Sequence, residues 1–128
     1  VSVISKELSL QLREAGLQQP KRGLHSFYRT HDQFGNPEPE NSYVYTLREY
    51  VHPEHVWKWL WAPRLDQLLE EIRKYNCGWG IGTREDKYCC IIETQNLRQV
   101  TQGDTLEEAT GQALLWLITR KNDEERNK

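Results

Sequence analysis

Three stretches of the chain repeat their apolar positions at helical spacing, and between them the period switches to two. In the first, Ile4, Leu8, Leu12 and Ala15 recur at four-residue and three-residue steps. Gly16 follows, where a left-handed residue would end a helix, and Pro20 bars continuation. The second, "APRLDQLLEEIRKYN", sets Leu65, Leu68, Leu69 and Ile72 on one stripe, with Pro63 suited to a first helical turn and Asn76 to the end. The third begins "GDTLEEATGQALLWLITRK". Thr105 and Glu108 have capping-box spacing there, and Leu106, Ala109, Ala113, Leu114, Leu117 and Ile118 give a broad buried face. Gly111 inside that helix costs about 1 kcal/mol relative to alanine, which predicts the close approach of another backbone.

The alternating stretches read as strands. "HSFYRTH" and "SYVYTLREYV" are separated by "DQFGNPEPEN", a turn-rich connection too polar for a core. Later, "GWGIGT" and "KYCCIIET" flank "RED" at hairpin spacing, and "LRQVT" is a further short strand. Glycine at every second position (Gly78, Gly80, Gly82) invites comparison with a phosphate-binding loop. Such a loop must open a helix whose N-terminal amides hold the phosphates, yet "TREDK" and another strand follow here, without a Gly-Lys-Ser/Thr. A strand is the better reading, with Trp79 and Ile81 on one face and a bare glycine face opposite. "YCCIIE" is apolar on both faces: one can meet the C-terminal helices, and the other needs a cover. The N-terminal helix, the tryptophan segment and a second copy of the chain are the three candidates for it. The expected fold is α+β, one domain over residues 1–128 in which an antiparallel sheet of about four to five strands packs with about three helices. The charged end, residues 120–128, is expected to be a frayed tail.

"ISKELSLQLREAGLQQP", the aromatic strand "SFYR", "WAPRLDQLLEEI" and "GDTLEEATGQALLWLI" together resemble small uncharacterised phage and prophage proteins. The segment from about Ala62 to Arg120 resembles the phage ABA-sandwich family. The resemblance implies an antiparallel sheet packed with helices and a mobile-element context; it implies no activity. "HDQFGNPEPEN" and "EYVHPEHVWKW" depart from the pattern.

Composition narrows the partners. The 128 residues are 37% hydrophobic and 28% charged, enough apolar material for a core. A formal charge of -2 gives no global field to attract nucleic acid or anionic lipid. No stretch approaches the roughly 18–20 apolar residues of a membrane span. "VSVISKELSLQLREAG" lacks the apolar block of a signal peptide, and three cysteines make an odd count, so a cytoplasmic, reducing location is expected.

Several constellations could carry chemistry. His52 and His55 have a spacing found in metal sites, with Glu49 and Glu54 near, but Cys77, Cys89 and Cys90 lack Cys-x-x-Cys spacing. Solvated histidines and buried thiols account for them more simply, and no cofactor is expected. Trp57, Trp59 and Trp61 alternate, so in an extended segment they share a face, with Lys58 and Leu60 opposite. With Lys58, Arg64, Arg84 and Lys87 that row could stack the bases of a single strand. It could equally form a core edge or a protein interface, and Tyr43 and Tyr45 share the ambiguity. No nucleophile elbow or depressed-pKa thiol environment marks an enzyme. The expectation is a non-enzymatic interaction module with an unidentified protein partner, and surplus apolar surface makes a homodimer a candidate. A nucleic-acid or nucleotide binder is the alternative, and no membrane association is expected.

Overall fold

The computed structural model describes residues 2–20, 23–47 and 57–127. Along the chain lie α1 (Lys6–Ala15), β1 (His25–Arg29), β2 (Val44–Leu47), β3 (Trp59–Trp61), α2 (Leu65–Arg73), β4 (Gly78–Arg84), β5 (Lys87–Glu93), β6 (Arg98–Gly103) and α3 (Leu106–Arg126). The class is α+β with antiparallel pairing throughout the described strands. The expected sheet of four to five strands is replaced by two three-stranded sheets, ordered β2-β1-β3 and β4-β5-β6. The physical reason is β3. The tryptophan segment adds an edge to β1, pairing Phe27 with Trp61 and Arg29 with Trp59, so the N-terminal strands close their own sheet.

α3 packs across β5 and β6, with α2 and α1 beside it, and α1 also meets β3. Ile4, just before the N-cap of α1, Leu8 and Leu12 of α1, Leu68 and Ile72 of α2, and Ala113, Leu114, Leu117 and Ile118 of α3 close over Cys90 and Ile92. A smaller cluster of Tyr28, Leu60 and Ala62, flanked by Val3 and Val44, lies under the first sheet. The two clusters are tied by the Tyr28 hydroxyl, which donates to the Ile4 carbonyl at 2.7 Å.

Local signals are satisfied, some in unexpected ways. α1 ends at Gly16 with φ 114°, the left-handed residue that its position required. Pro63 precedes the N-cap of α2, Arg64, instead of entering the first turn, and Lys74 instead of Asn76 closes that helix. The Thr105 hydroxyl accepts from the Glu108 amide at 3.1 Å, but the Glu108 carboxylate does not return the bond. It accepts from the Ser5 amide, joining the starts of α3 and α1. The neighbour crowding Gly111 is a pair of side chains rather than a backbone. A Cβ there would stand 2.7 Å from Leu8 Cδ2 and 3.0 Å from Ile4 Cγ2. The stretch expected as a frayed tail is helical through Arg126, because Arg120 pairs with Glu124 at 3.3 Å and Asn122 bonds the Ala15 carbonyl at 2.8 Å.

The alternating glycines are strand β4, as expected. The β4–β5 turn is two residues, Glu85 and Asp86, with φ 50° and 64°. α3 lies against the face that carries Cys90 and Ile92. Neither α1 nor the tryptophan strand covers the opposite face, since both belong to the other side of α3 or to the first sheet.

Candidate functional site

The first sheet sorts its residues by parity. Tyr28, Val44 and Leu60 face inward, while His25, Phe27, Arg29, Tyr45, Trp59 and Trp61 share the other face. On that face Phe27 stands between Tyr45 and Trp61, and the larger rings meet over it. Tyr45 and Trp59 are 5.4 Å apart edge to face, Tyr43 lies 5.3 Å from Tyr45, and Phe27 lies 6.5 Å from Trp59. The result is a continuous aromatic strip from Tyr43 across to Trp59.

The tryptophans do not present three equal faces. Trp57 precedes β3 in a 3₁₀ turn, 45% exposed, its ring 4.8 Å from His31. Trp59 is half-buried among Tyr45 and Phe27. Trp61 is 6% exposed, packed 5.9 Å from His25, and its buried indole N–H has no hydrogen-bond partner among the described residues. A single strand stacking on all three indoles would need Trp61 to leave the fold.

Charge around the strip is largely neutralised from within. Arg29 lies 5.5 Å over the Tyr45 ring and makes a two-bond pair with Glu38, at 2.8 and 3.0 Å. Hydrogen bonds from Arg29 and Asn41 hold the Glu38 carboxyl below the usual carboxylate range. The Asn36 and Phe34 amides do the same for Asp32 in the adjoining connection. Lys58 sits 5.5 Å over the Trp57 ring, and Arg64 lies elsewhere, at the start of α2, paired with Asp66 at 3.1 Å. The structure therefore gathers Tyr43, Tyr45 and Trp59, sets Trp57 with Lys58 at the end of β3 against His31, and separates Trp61 and Arg64 from them. Arg29 and the 79%-exposed Phe34 join the surface unannounced, and Phe27, 4% exposed, is the buried floor beneath the strip. The signal for Phe27 and Arg29 was present in "SFYR", where alternation sets them on the face opposite Tyr28.

Lys6 fixes the connection that borders this surface. Its ammonium donates to the carbonyls of Arg29, Glu38 and Asn41 at 3.1, 2.8 and 2.6 Å, although burial lowers its pKa. A shallow hollow of about 220 Å³ opens among Arg29, Asp32, Gln33, Lys58 and Trp59. A larger cleft, about 630 Å³, lies away from the strip between α2, α3 and the segment after α1, with Glu70, Glu71, Lys74 and Lys121 on its walls.

His52 and His55 lie outside the described residues. Among the described residues no three His, Cys, Asp or Glu side chains converge as a metal site. Cys77, Cys89 and Cys90 form no disulfide; burial raises the Cys77 thiol and pushes Cys90 up to about 11. No described helix is long and apolar enough to cross a membrane. Compared with family models, curated proteins and solved structures, the chain finds no match in any of the three.

Proposed function

We propose that the chain is a small non-enzymatic interaction module of phage or prophage type, with an ABA-sandwich-like C-terminal part, that binds a protein partner through the strip formed by Tyr43, Tyr45, Trp57 and Trp59. The observation that carries this reading is an exposed aromatic strip whose main cation is already neutralised, Arg29 by Glu38. Tyrosine and tryptophan give large contact area at low entropic cost, so such a strip favours a protein surface. A single-stranded nucleic acid would need several unpaired cations along its path, and Lys58 alone of the expected basic set adjoins the strip.

Salt dependence separates the two. Partner capture from a lysate should persist between about 50 and 300 mM salt and vanish for the Trp57→Ala/Tyr43→Ala double variant, whereas phosphate contacts lose orders of magnitude in affinity over such a range. Fluorescently labelled oligo-dT is the competing probe. Saturable, salt-sensitive binding of it that Trp59→Ala abolishes would replace this reading with the nucleic-acid one.

A further inference from the structure

We infer that β4 is the seam of a homodimer, in which two copies pair antiparallel edge to edge and join their second sheets into one six-stranded sheet. This surface is distinct from the aromatic strip and does not depend on its role. β4 is an edge strand of seven residues, and its burial is low from Ile81 to Arg84. It contains no proline, and its single charged residue, Arg84, stands at the end. Edges of that kind are normally blunted by charge, proline or a bulge, because their unpaired backbone invites another strand.

The hairpin fixes which groups are unpaired. A two-residue turn makes Arg84 and Lys87 a hydrogen-bonded pair. Alternation then turns the N–H and C=O groups of Gly82, Gly80 and Gly78 toward β5, and those of Thr83, Ile81 and Trp79 outward. Among the described residues nothing bonds these outward groups.

Self-pairing suits the sequence of β4 in one register. In a continuous sheet, paired residues must lie on the same face, so the two-fold axis has to run midway between one residue and its own copy. Centred on Ile81, the pairing sets Ile81 against the partner's Ile81, Trp79 against the partner's Thr83, and Gly78 against the partner's Arg84. About six backbone hydrogen bonds form. Ile81, 39% exposed in the single chain, meets its own copy on the helix side. On the bare side, Arg84 crosses the partner's Gly78, which has no side chain to obstruct it. Beyond that glycine lies the partner's Glu93, the ladder neighbour of Gly78. Glu93 already has Arg98 of its own chain at 3.6 Å, an exposed and long pair, so Arg84 would join it as a second cation, and the symmetric contact repeats. Arg84 has no ion pair within its own chain among the described residues, whereas Lys87 beside it is already paired with Asp104 at 2.5 Å.

Two measurements test the seam. Sedimentation velocity from about 1 to about 200 µM should show the mass rising from 15.2 kDa toward twice that value. Arg84→Glu leaves a favourable cross-strand pair with Lys87, so the variant should fold, yet it should associate at least about tenfold more weakly. Ile81→Cys places two thiols across a hydrogen-bonded pair whose Cα atoms are about 5.5 Å apart, within disulfide range. Mild oxidation should give a covalent dimer for Ile81→Cys, and none for Thr83→Cys or for the wild type. A wild type that stays monomeric at the highest concentration overturns the proposal. So does a dimer that is indifferent to Arg84→Glu, or one in which residue 81 cross-links no better than residue 83.

Discussion

At the scale of single residues, the glycines divide into two physical kinds. A Cβ on Gly103 would stand 2.7 Å from the Ala109 amide nitrogen and 3.1 Å from the Glu108 carbonyl carbon, backbone atoms that cannot step aside. Gly103→Ala should therefore cost about 1–3 kcal/mol by chemical denaturation. Gly80 and Gly82 meet nothing within 4 Å, and alanine in a strand is less entropically costly than glycine. Gly82→Ala should stabilise by about 0.5–1 kcal/mol. The sequence pattern showed that β4 has a bare face but gave no hint of Gly103, whose need arises from where α3 crosses β6. Another local strain is legible only in the structure: Glu85 and Asp86 both adopt positive φ. Replacing them with Asn-Gly, the pair this turn prefers, should raise the melting temperature by a few degrees, about 1 kcal/mol at this chain length. Ionisation adds a pH dependence. The Glu38 carboxyl is held below its ordinary range in the fold, so the unfolded chain binds its proton first as pH falls. Its contribution is present above an unfolded carboxylate pKa of about 4.3 and is lost as pH falls through the lower folded value. Glu38→Gln should flatten the acid limb of stability against pH; an unchanged limb would mean that the Arg29 pair is energetically silent.

At the scale of elements, what could be read in advance follows contact distance along the chain. The β4–β5–β6 meander and its helices were visible because each pairing is made by neighbours joined by short turns. The split into two sheets was not, because β1 pairs with β3 across some thirty intervening residues, including the segment 48–56 that lies outside the described residues. Hydrophobic alternation in "WKWLW" is compatible with either sheet, and long-range register is decided by packing rather than by propensity. The aromatic strip was legible as chemistry, through Tyr43, Tyr45 and the tryptophans, but the burial of Trp61 depended on His25 arriving from a separate strand. Helix ends carry a sharper expectation. Thr105→Ala removes the bond to the Glu108 amide and should cost about 1 kcal/mol.

At the scale of the whole molecule, α1 is the element shared by both halves. Its Leu8 and the preceding Ile4 press on Gly111 of α3, while the Ile4 carbonyl receives the Tyr28 hydroxyl from the first sheet. Leu8→Ala should cost about 2–5 kcal/mol. Because one helix braces both sheets, hydrogen exchange at Tyr28 and at Cys90 should accelerate together in that variant. Acceleration confined to one sheet would show that the halves open independently.

α3 grips α1 at both ends, through Glu108 on the Ser5 amide and Asn122 on the Ala15 carbonyl. The longer helix thereby acts as a gauge for the shorter one. Inserting one residue into α1 would advance its end by about 1.5 Å and rotate it by about 100°, breaking an anchor or turning Leu12 away from the core. The exposed tip at Gln33 and Phe34 is tied only within its own turn, by the Phe34 and Asn36 amides on Asp32, so an insertion there gives up local bonds and displaces no helix. Sequences descended from a common ancestor with this chain should vary in length there and hold the ten residues of α1 to a constant count.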